Sequence, residues 1–151
     1  MDSIKLTFTP VPPKKLGTIF VIEDNPIELE MVIEYFSKYP GLTLKGFTNG
    51  DECVKEIVVS GISPDMILID YFLDSEIAHS KDGLEILVKL KEISSNSSII
   101  MHTSVENQRI IDLARQKGAI AYIVKGAAGY KKLDSIIEKY FVFNADNGGE
   151  I

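Results

Sequence analysis

The sequence is poor in the residues that bind transition metals or crosslink small domains. Its 151 residues include one cysteine, Cys53, two histidines and no tryptophan. A single cysteine excludes an intramolecular disulfide and a cysteine-rich metal site. We therefore expect a domain that depends on its hydrophobic core alone, and a chain of this length is long enough to bury one.

Long hydrophobic runs are also missing. No apolar stretch approaches the roughly 20 residues needed to span a bilayer, and residues 1–5 lack the basic and then apolar layout of a signal peptide. These absences favour a cytoplasmic protein without membrane insertion. The net charge of −6 argues against direct nucleic-acid binding, which needs a basic surface to contact phosphates.

What the sequence does contain is a repeated unit, a short apolar run followed by an amphipathic helix. The runs are rich in isoleucine and valine, and they cover 18–22, 42–47, 66–69, 99–101 and 121–124. Continuous runs of this length are typical of parallel strands that are buried on both faces. The predicted helices cover 26–38, 51–60, 84–93, 107–117 and 131–141.

Five strand–helix units in alternation predict an α/β fold. The expected architecture is a doubly wound five-stranded parallel sheet, a flavodoxin-like three-layer sandwich formed by residues 16–143. Residues 1–15 contain three of the six prolines and are predicted to be an N-terminal extension, in which residues 4–9 could form an edge strand. Residues 144–151 are polar and glycine-rich and are predicted to be a flexible tail.

Polar side chains follow four of the five predicted strands: Glu23 and Asp24, Asp70, Thr103 with Ser104, and Lys125. In a parallel sheet the carboxyl ends of the strands lie at one edge, where ligands bind. Each residue alone has an ordinary structural explanation as a turn former, a helix cap or a solvated side chain. Their convergence on one edge is what favours a functional site.

The chemistry of this set points to phosphate and a hard cation. Three clustered carboxylates repel one another, and a few oxygen ligands suit Mg²⁺ with retained waters. Asp70 follows the most apolar run and is placed to attack phosphorus and carry an aspartyl-phosphate. Lys125 offers a positive charge to the phosphoryl oxygens, and the Thr103 hydroxyl can donate a hydrogen bond to the same group.

The segments around these residues resemble the receiver domain of two-component response regulators, the CheY-like family. The motifs are Ile-Glu-Asp-Asn-Pro at 22–26, Met-Ile-Leu-Ile-Asp at 66–70, Met-His-Thr-Ser at 101–104 and Ala-Tyr-Ile-Val-Lys at 121–125. The resemblance implies a phosphorylation switch, with self-phosphorylation and self-dephosphorylation as its only chemistry. It implies a histidine kinase or histidine phosphotransfer protein as phosphoryl donor. Since only a short tail follows the last helix, we expect output through a downstream protein target or a further phosphorelay step.

The resemblance assigns a role to each acidic residue at the strand ends. It implies Asp70 as the phosphoacceptor. It implies Glu23 and Asp24 as the acidic pair that binds Mg²⁺ together with Asp70, and the backbone carbonyl of Phe72 as a further metal ligand. Phe72 is itself a departure, because this position is often polar in the family and lies beside the approach of an attacking water.

On the other side of the site, Thr103 takes the position of the family's switch hydroxyl and Lys125 that of its phosphate-binding lysine. Tyr122 falls where the family has a rotating aromatic residue, so we expect its ring to rotate from a more exposed position into the space that Thr103 leaves when a phosphoryl group draws it inward. Gly126 replaces the usual proline after a cis peptide bond, which predicts a looser loop. The segment 74–82 is longer than usual and is predicted to cover the site, contact a partner or be a tolerated insertion.

Three alternative functions would each need a set of residues other than that of a phosphorylation switch. A Mg²⁺-dependent phosphatase of the haloacid-dehalogenase type needs a second aspartate two residues after the first, where this chain has Phe72. A flavodoxin needs a hydroxyl- and glycine-rich phosphate loop after the first strand, where Glu23 and Asp24 would repel the phosphate. A degenerate receiver that acts only as a protein-interaction module would not need the full set of acidic, hydroxyl and lysine groups.

Two titratable residues outside this set are predicted to be structural. His102 precedes Thr103 in a predicted strand, so its side chain points to the opposite face of the sheet, away from the phosphate. Cys53 lies on a helical face with Ile57 and is predicted to be a small buried hydrophobe.

Overall fold

The structure, a computed structural model, describes residues 14–15, 17–72 and 82–142. The predicted edge strand at 4–9, the predicted tail at 144–151 and all of the 74–82 segment except Asp82 lie outside the described residues.

Strands and helices alternate along the described residues. The strands are β1 (Lys14–Lys15), β2 (Thr18–Ile22), β3 (Thr43–Phe47), β4 (Met66–Ile69), β5 (Ser98–Thr103), β6 (Ala121–Val124) and β7 (Phe141–Val142). The helices are α1 (Pro26–Phe36), α2 (Gly50–Ser60), α3 (Gly83–Ile93), α4 (Gln108–Gln116) and α5 (Ala127–Tyr140). None of these helices is both long enough and apolar enough to cross a bilayer.

The main sheet has five parallel strands in the order β3-β2-β4-β5-β6. The chain moves outward from β2 to β3 and then crosses back to β4, so the winding direction reverses beside β2. This reversal opens a crevice at the carboxyl ends of β2 and β4, the usual ligand position in such folds. The predicted doubly wound parallel sheet is confirmed.

Both faces of the sheet are covered, which explains why the strands are continuously apolar. All four residues of β4 are buried. Ile67 and Ile69 pack in one hydrophobic cluster with residues of α2, α3 and α4. Met66 and Leu68 pack in a second cluster with residues of α1 and α5. The three layers of the sandwich therefore follow from the alternation of side chains along each strand.

The last predicted helix, 131–141, begins four residues earlier and ends one residue earlier than predicted. It begins at Ala127, because Gly126 takes a positive φ of 135° that lets the chain turn directly into α5. It ends at Tyr140, because Phe141 is extended and its strand β7 pairs in parallel with β1. Residues 14–15 of the predicted extension thus belong to a separate two-stranded sheet.

Candidate functional site

The carboxyl ends of β2, β4 and β6 bring the predicted charged residues together. Carboxylate oxygens of Glu23, Asp24 and Asp70 all lie within 4.8 Å of one another. Lys125 Nζ donates hydrogen bonds to Glu23 Oε1 at 2.6 Å and to Asp70 Oδ2 at 2.8 Å. The predicted convergence of residues 102 positions apart is therefore present.

A fourth carboxylate, which sequence reasoning missed, joins this group. Glu28 Oε1 accepts a hydrogen bond from Lys125 Nζ at 2.5 Å. Glu28 lies in the first turn of α1, where an acidic residue is common because it matches the positive end of the helix dipole. That ordinary explanation hides the contact from a reading of the sequence. The signal that could have found it is its position three residues after the N-cap Asn25, close behind the acidic pair of residues 23 and 24.

The start of α1 fixes both glutamates. Asn25 is the N-cap, and its Oδ1 accepts hydrogen bonds from the backbone N–H groups of Ile27 and Glu28 at 2.9 and 3.1 Å. The N–H of Asn25 in turn donates to Glu23 Oε2 at 3.2 Å. Pro26 follows at the first helical position, where its missing N–H leaves no bond unmade. Glu28 thus faces Lys125 from the capped first turn of α1, and Glu23 faces it from the segment that leads into the cap.

The electrostatics of the site reflect an excess of acceptors. Burial raises the pKa of Glu23 to about 7; the hydrogen bond from Lys125 opposes this, and the neighbouring charge of Asp70 adds to it. Burial on its own would lower the pKa of Lys125, but hydrogen bonds to Asp70, Glu23 and Glu28 outweigh it and raise that pKa. Glu23 is 4% exposed, so bulk water does little to relieve the crowding of negative charge.

Asp70 is positioned by the close approach of α3. The Gly83 N–H donates to the Tyr71 carbonyl at 2.7 Å, and a Cβ at Gly83 would lie 2.3 Å from the Asp70 carbonyl oxygen. Only glycine fits there. The Phe72 N–H donates to Asp70 Oδ1 at 3.3 Å, while the Phe72 side chain is 56% exposed. The phenyl ring therefore lies at the surface beside the acidic cluster.

The side chains of Thr103 and Tyr122 both form hydrogen bonds with the backbone of Val105. Thr103 is fully buried at the end of β5, and its Oγ1 accepts a hydrogen bond from the Val105 N–H at 3.4 Å. The Tyr122 hydroxyl donates to the Val105 carbonyl at 2.5 Å. The Tyr122 ring is buried, and that burial, followed by the charge of Asp70, raises its pKa to about 12. The structure thus has Tyr122 in the buried one of its two expected positions.

The backbone that follows β6 borders the site and holds Lys125 in place. The Lys125 N–H donates to the Thr103 carbonyl at 2.9 Å, which ties Lys125 to the end of β5. Gly126 then caps α5 without any side-chain hydrogen bond. A Cβ at Gly129 would lie 2.1 Å from the Val124 carbonyl oxygen, so the first turn of α5 packs directly against the end of β6.

The predictions for the two structural residues are confirmed. His102 is buried, and its ring lies edge-on to the Tyr130 ring of α5 at 5.7 Å, on the face of the sheet opposite Thr103. Burial, together with the charge of Lys125, lowers the pKa of His102 to about 4. Cys53 is buried in the core, and that burial raises the pKa of its thiol to about 12.

Comparisons with known proteins all indicate the same family. The family model of the response regulator receiver domain matches residues 19–138. The nitrate/nitrite response regulator protein NarL of Escherichia coli K12 is 28% identical over 110 residues, 72% of this chain and 48% of that protein. The transcriptional regulatory protein DcuR of the same organism is 26% identical over 108 residues, 71% of this chain and 43% of that protein. The chain spans about half the length of the curated relatives it matches.

Solved structures share the fold. A two-component response regulator of the LuxR family from Aurantimonas sp. SI85-9A1 superposes with a TM-score of 0.69 at 18% identity. The match covers 91% of this chain and 96% of that one.

Proposed function

This chain belongs to the family of response regulator receiver domains, and from that premise we propose that it is a phosphorylation switch whose phosphoacceptor is Asp70. The observation that carries the proposal is the position of the Asp70 carboxylate. One of its oxygens lies 2.8 Å from Lys125 Nζ, and the carboxylate also belongs to the acidic cluster with Glu23 and Asp24. Asp70 follows β4, the middle strand of the sheet.

The proposed reaction is transfer of a phosphoryl group from a phosphohistidine. An Asp70 carboxylate oxygen forms a bond to phosphorus, the phosphorus–nitrogen bond breaks, and the imidazole leaves with its electron pair and takes up a proton from water. Lys125 donates hydrogen bonds to the phosphoryl oxygens, and the Thr103 hydroxyl donates another. The donor in this proposal is a histidine kinase or a histidine phosphotransfer protein. Self-dephosphorylation is the only other chemistry proposed: a water oxygen forms a bond to phosphorus, the bond between phosphorus and the Asp70 oxygen breaks, and inorganic phosphate leaves.

The acidic cluster fits Mg²⁺. Glu23, Asp24 and Asp70 offer only carboxylate oxygens, the ligand type that Mg²⁺ prefers. The raised pKa of Glu23 supports the same assignment, since a divalent cation would relieve the excess of negative charge. We propose that these three residues and the backbone carbonyl of Phe72 hold the ion. When bound, Mg²⁺ would neutralise charge on the transferring phosphoryl group.

The proposed output is a change of the surface formed by α4, β6 and α5. A phosphoryl group at Asp70 draws the Thr103 hydroxyl toward it and away from the Val105 N–H. Since the Tyr122 hydroxyl is bonded to the carbonyl of the same residue, the two side chains can move together between two states. A downstream protein would then bind the altered face. The proposal places the switch in the cytoplasm, without direct contact to nucleic acid.

Phosphoryl uptake tests the proposal directly. The protein is incubated with acetyl phosphate or phosphoramidate and Mg²⁺, and its intact mass is measured. We expect one added phosphate in the wild type, none in Asp70→Asn, and wild-type uptake in Asp112→Asn, which changes an exposed carboxylate on α4 in the same way. Removal of Mg²⁺ by a chelator should abolish uptake. An unchanged adduct in Asp70→Asn would contradict the assignment.

A further inference from the structure

The contact between Lys125 and Glu28 has no role in the function proposed so far. Lys125 Nζ hydrogen-bonds three carboxylates, Glu28 at 2.5 Å, Glu23 at 2.6 Å and Asp70 at 2.8 Å. A lysine ammonium has three N–H donors. All three are therefore used in this structure, and none remains for an oxygen of an incoming phosphoryl group.

The three carboxylates differ in how easily they can lose the ammonium. The side chains of Glu23 and Asp70 are 5% and 8% exposed, whereas that of Glu28 is 46% exposed. A buried carboxylate that loses its cation is left without water to replace it, which is costly. A half-exposed carboxylate is solvated as soon as the ammonium leaves. Of the two glutamates that pair with Lys125, Glu28 is thus the contact that can be given up.

The two ends of this ion pair are fixed by the fold. Glu28 belongs to a helical turn capped by Asn25, and its own N–H donates to the Asn25 side chain. Lys125 is tied to β5 through the Thr103 carbonyl. The ion pair is therefore set by the geometry of α1, β5 and β6, and it is present before any phosphoryl group arrives.

We propose that Glu28 is a positioning residue that competes with the phosphoryl group of Asp70 for Lys125. This inference rests on the proposed function, because it concerns the same lysine and the same acceptor. In the unphosphorylated protein Glu28 occupies the third donor of Lys125. When a phosphoryl group binds, Lys125 turns to its oxygens and Glu28 is released to water, since the added negative charge also repels the Glu28 carboxylate. Glu28 therefore lowers the affinity of the site for a phosphoryl group.

Binding of beryllofluoride, a phosphoryl analogue, together with Mg²⁺ provides the test. The dissociation constant is measured by titration calorimetry for the wild type, Glu28→Gln and Glu30→Gln. Glu30 is an exposed glutamate on the same helix, so both variants lose one negative charge and differ in the contact to Lys125. We expect Glu28→Gln to bind about two- to fivefold more tightly than Glu30→Gln, the range measured for partly exposed ion pairs.

A second measurement separates competition from a general structural effect. The ¹⁵N signal of Lys125 Nζ is followed by NMR in the metal-free protein. We expect it to shift in Glu28→Gln and not in Glu30→Gln, while the two variants unfold at the same denaturant concentration.

The possible outcomes are distinct. If the wild type does not bind beryllofluoride with Mg²⁺ at all, the proposed function is wrong and the inference falls with it. If the wild type binds but Glu28→Gln binds no more tightly than Glu30→Gln, the proposed function stands and competition by Glu28 is overturned.

Discussion

Two regions of the described chain, each with a carboxylate paired to a lysine, are built in opposite ways. The first is the sheet edge with Asp70 and Lys125. The second, here called the α1–α5 cluster, joins Tyr35, Lys38 and Tyr39 of the α1 end to Asp134 of α5. Asp134 accepts hydrogen bonds from Tyr35 Oη at 2.5 Å, Tyr39 Oη at 2.6 Å and Lys38 Nζ at 3.0 Å.

The difference lies in the ratio of donors to acceptors. In the α1–α5 cluster Asp134 has three donors, although the Tyr39 hydroxyl is shared with Glu138 Oε2 at 2.8 Å. Burial alone would raise the pKa of Asp134, but hydrogen bonds from Tyr35, Tyr39 and Lys38 outweigh it and lower that pKa. At the sheet edge one ammonium serves three carboxylates, and the pKa of Glu23 is raised. A surplus of donors stabilises the folded chain, whereas a surplus of acceptors leaves a site that a cation can stabilise.

The largest effect on stability is expected in the α1–α5 cluster. Asp134→Ala removes three hydrogen bonds to a charged group and should lower the free energy of unfolding by about 3 kcal/mol at pH 7. Since the pKa of Asp134 lies below its ordinary value of 3.8, its contribution is present above that pH and is lost as the pH falls. Urea unfolding at pH 7 measures the loss. Asp112→Ala on α4 is the control. An equal loss in that variant would show that the hydrogen bonds to Asp134 contribute no special stability.

Glu23→Gln should have the opposite effect and raise the free energy of unfolding at neutral pH. The pKa of Glu23 is about 7 in the folded protein, so the folded chain holds a proton that the unfolded chain releases above about pH 4.5. Stability is thus lost as the pH rises from about 4.5 to 7, on the order of 2 kcal/mol. The variant should lack this loss, so in metal-free protein its gain over the wild type grows from pH 5 to pH 8.

Mg²⁺ sharpens the same test. Added Mg²⁺ should stabilise the wild type at pH 8 and reduce its difference from Glu23→Gln, because the ion is expected to bind the ionised carboxylate. If Glu23→Gln differs from the wild type by the same free energy of unfolding at pH 5 and at pH 8, the pKa of Glu23 is not raised in the folded protein.

A smaller effect, a change in NMR signals without a large change in stability, is expected for the ring of Tyr122. If the sheet edge is the responsive region, beryllofluoride with Mg²⁺ should shift the NMR signals of Tyr122 and leave those of Tyr39 in place. In Thr103→Ala the Tyr122 shift should largely disappear while beryllofluoride still binds. Equal shifts of both rings, or none, would mean that Tyr122 is only structural.

The smallest effect concerns the lifetime of the phosphorylated state. The exposed Phe72 ring offers no hydrogen bond to a water that approaches the acidic cluster. Phe72→Asn should therefore hydrolyse its aspartyl-phosphate a few-fold faster than the wild type, and Phe72→Leu should not. The decay of the phosphorylated mass with time gives both rates. A slower or unchanged decay in Phe72→Asn would contradict this role.

The two regions also differ in how far they could be predicted from the sequence. The sheet edge was predictable because its residues follow strands, and strand ends of a parallel sheet meet at one edge. The α1–α5 cluster was not, since Tyr35 and Asp134 are 99 positions apart and no local pattern links two helices' surfaces. Glu28 was missed because a first-turn acid already has a sufficient local cause. The start of α5 was missed because Gly126 and Gly129 weaken the helical pattern.

Asp70 is the residue that we expect to carry the phosphoryl group. After incubation with acetyl phosphate and Mg²⁺, borohydride reduction converts an aspartyl-phosphate to homoserine, and peptide mapping by mass spectrometry locates it. We predict homoserine at position 70 alone, and none when Mg²⁺ is chelated. Homoserine at Asp24 or at any other aspartate, with Asp70 unmodified, would contradict the account.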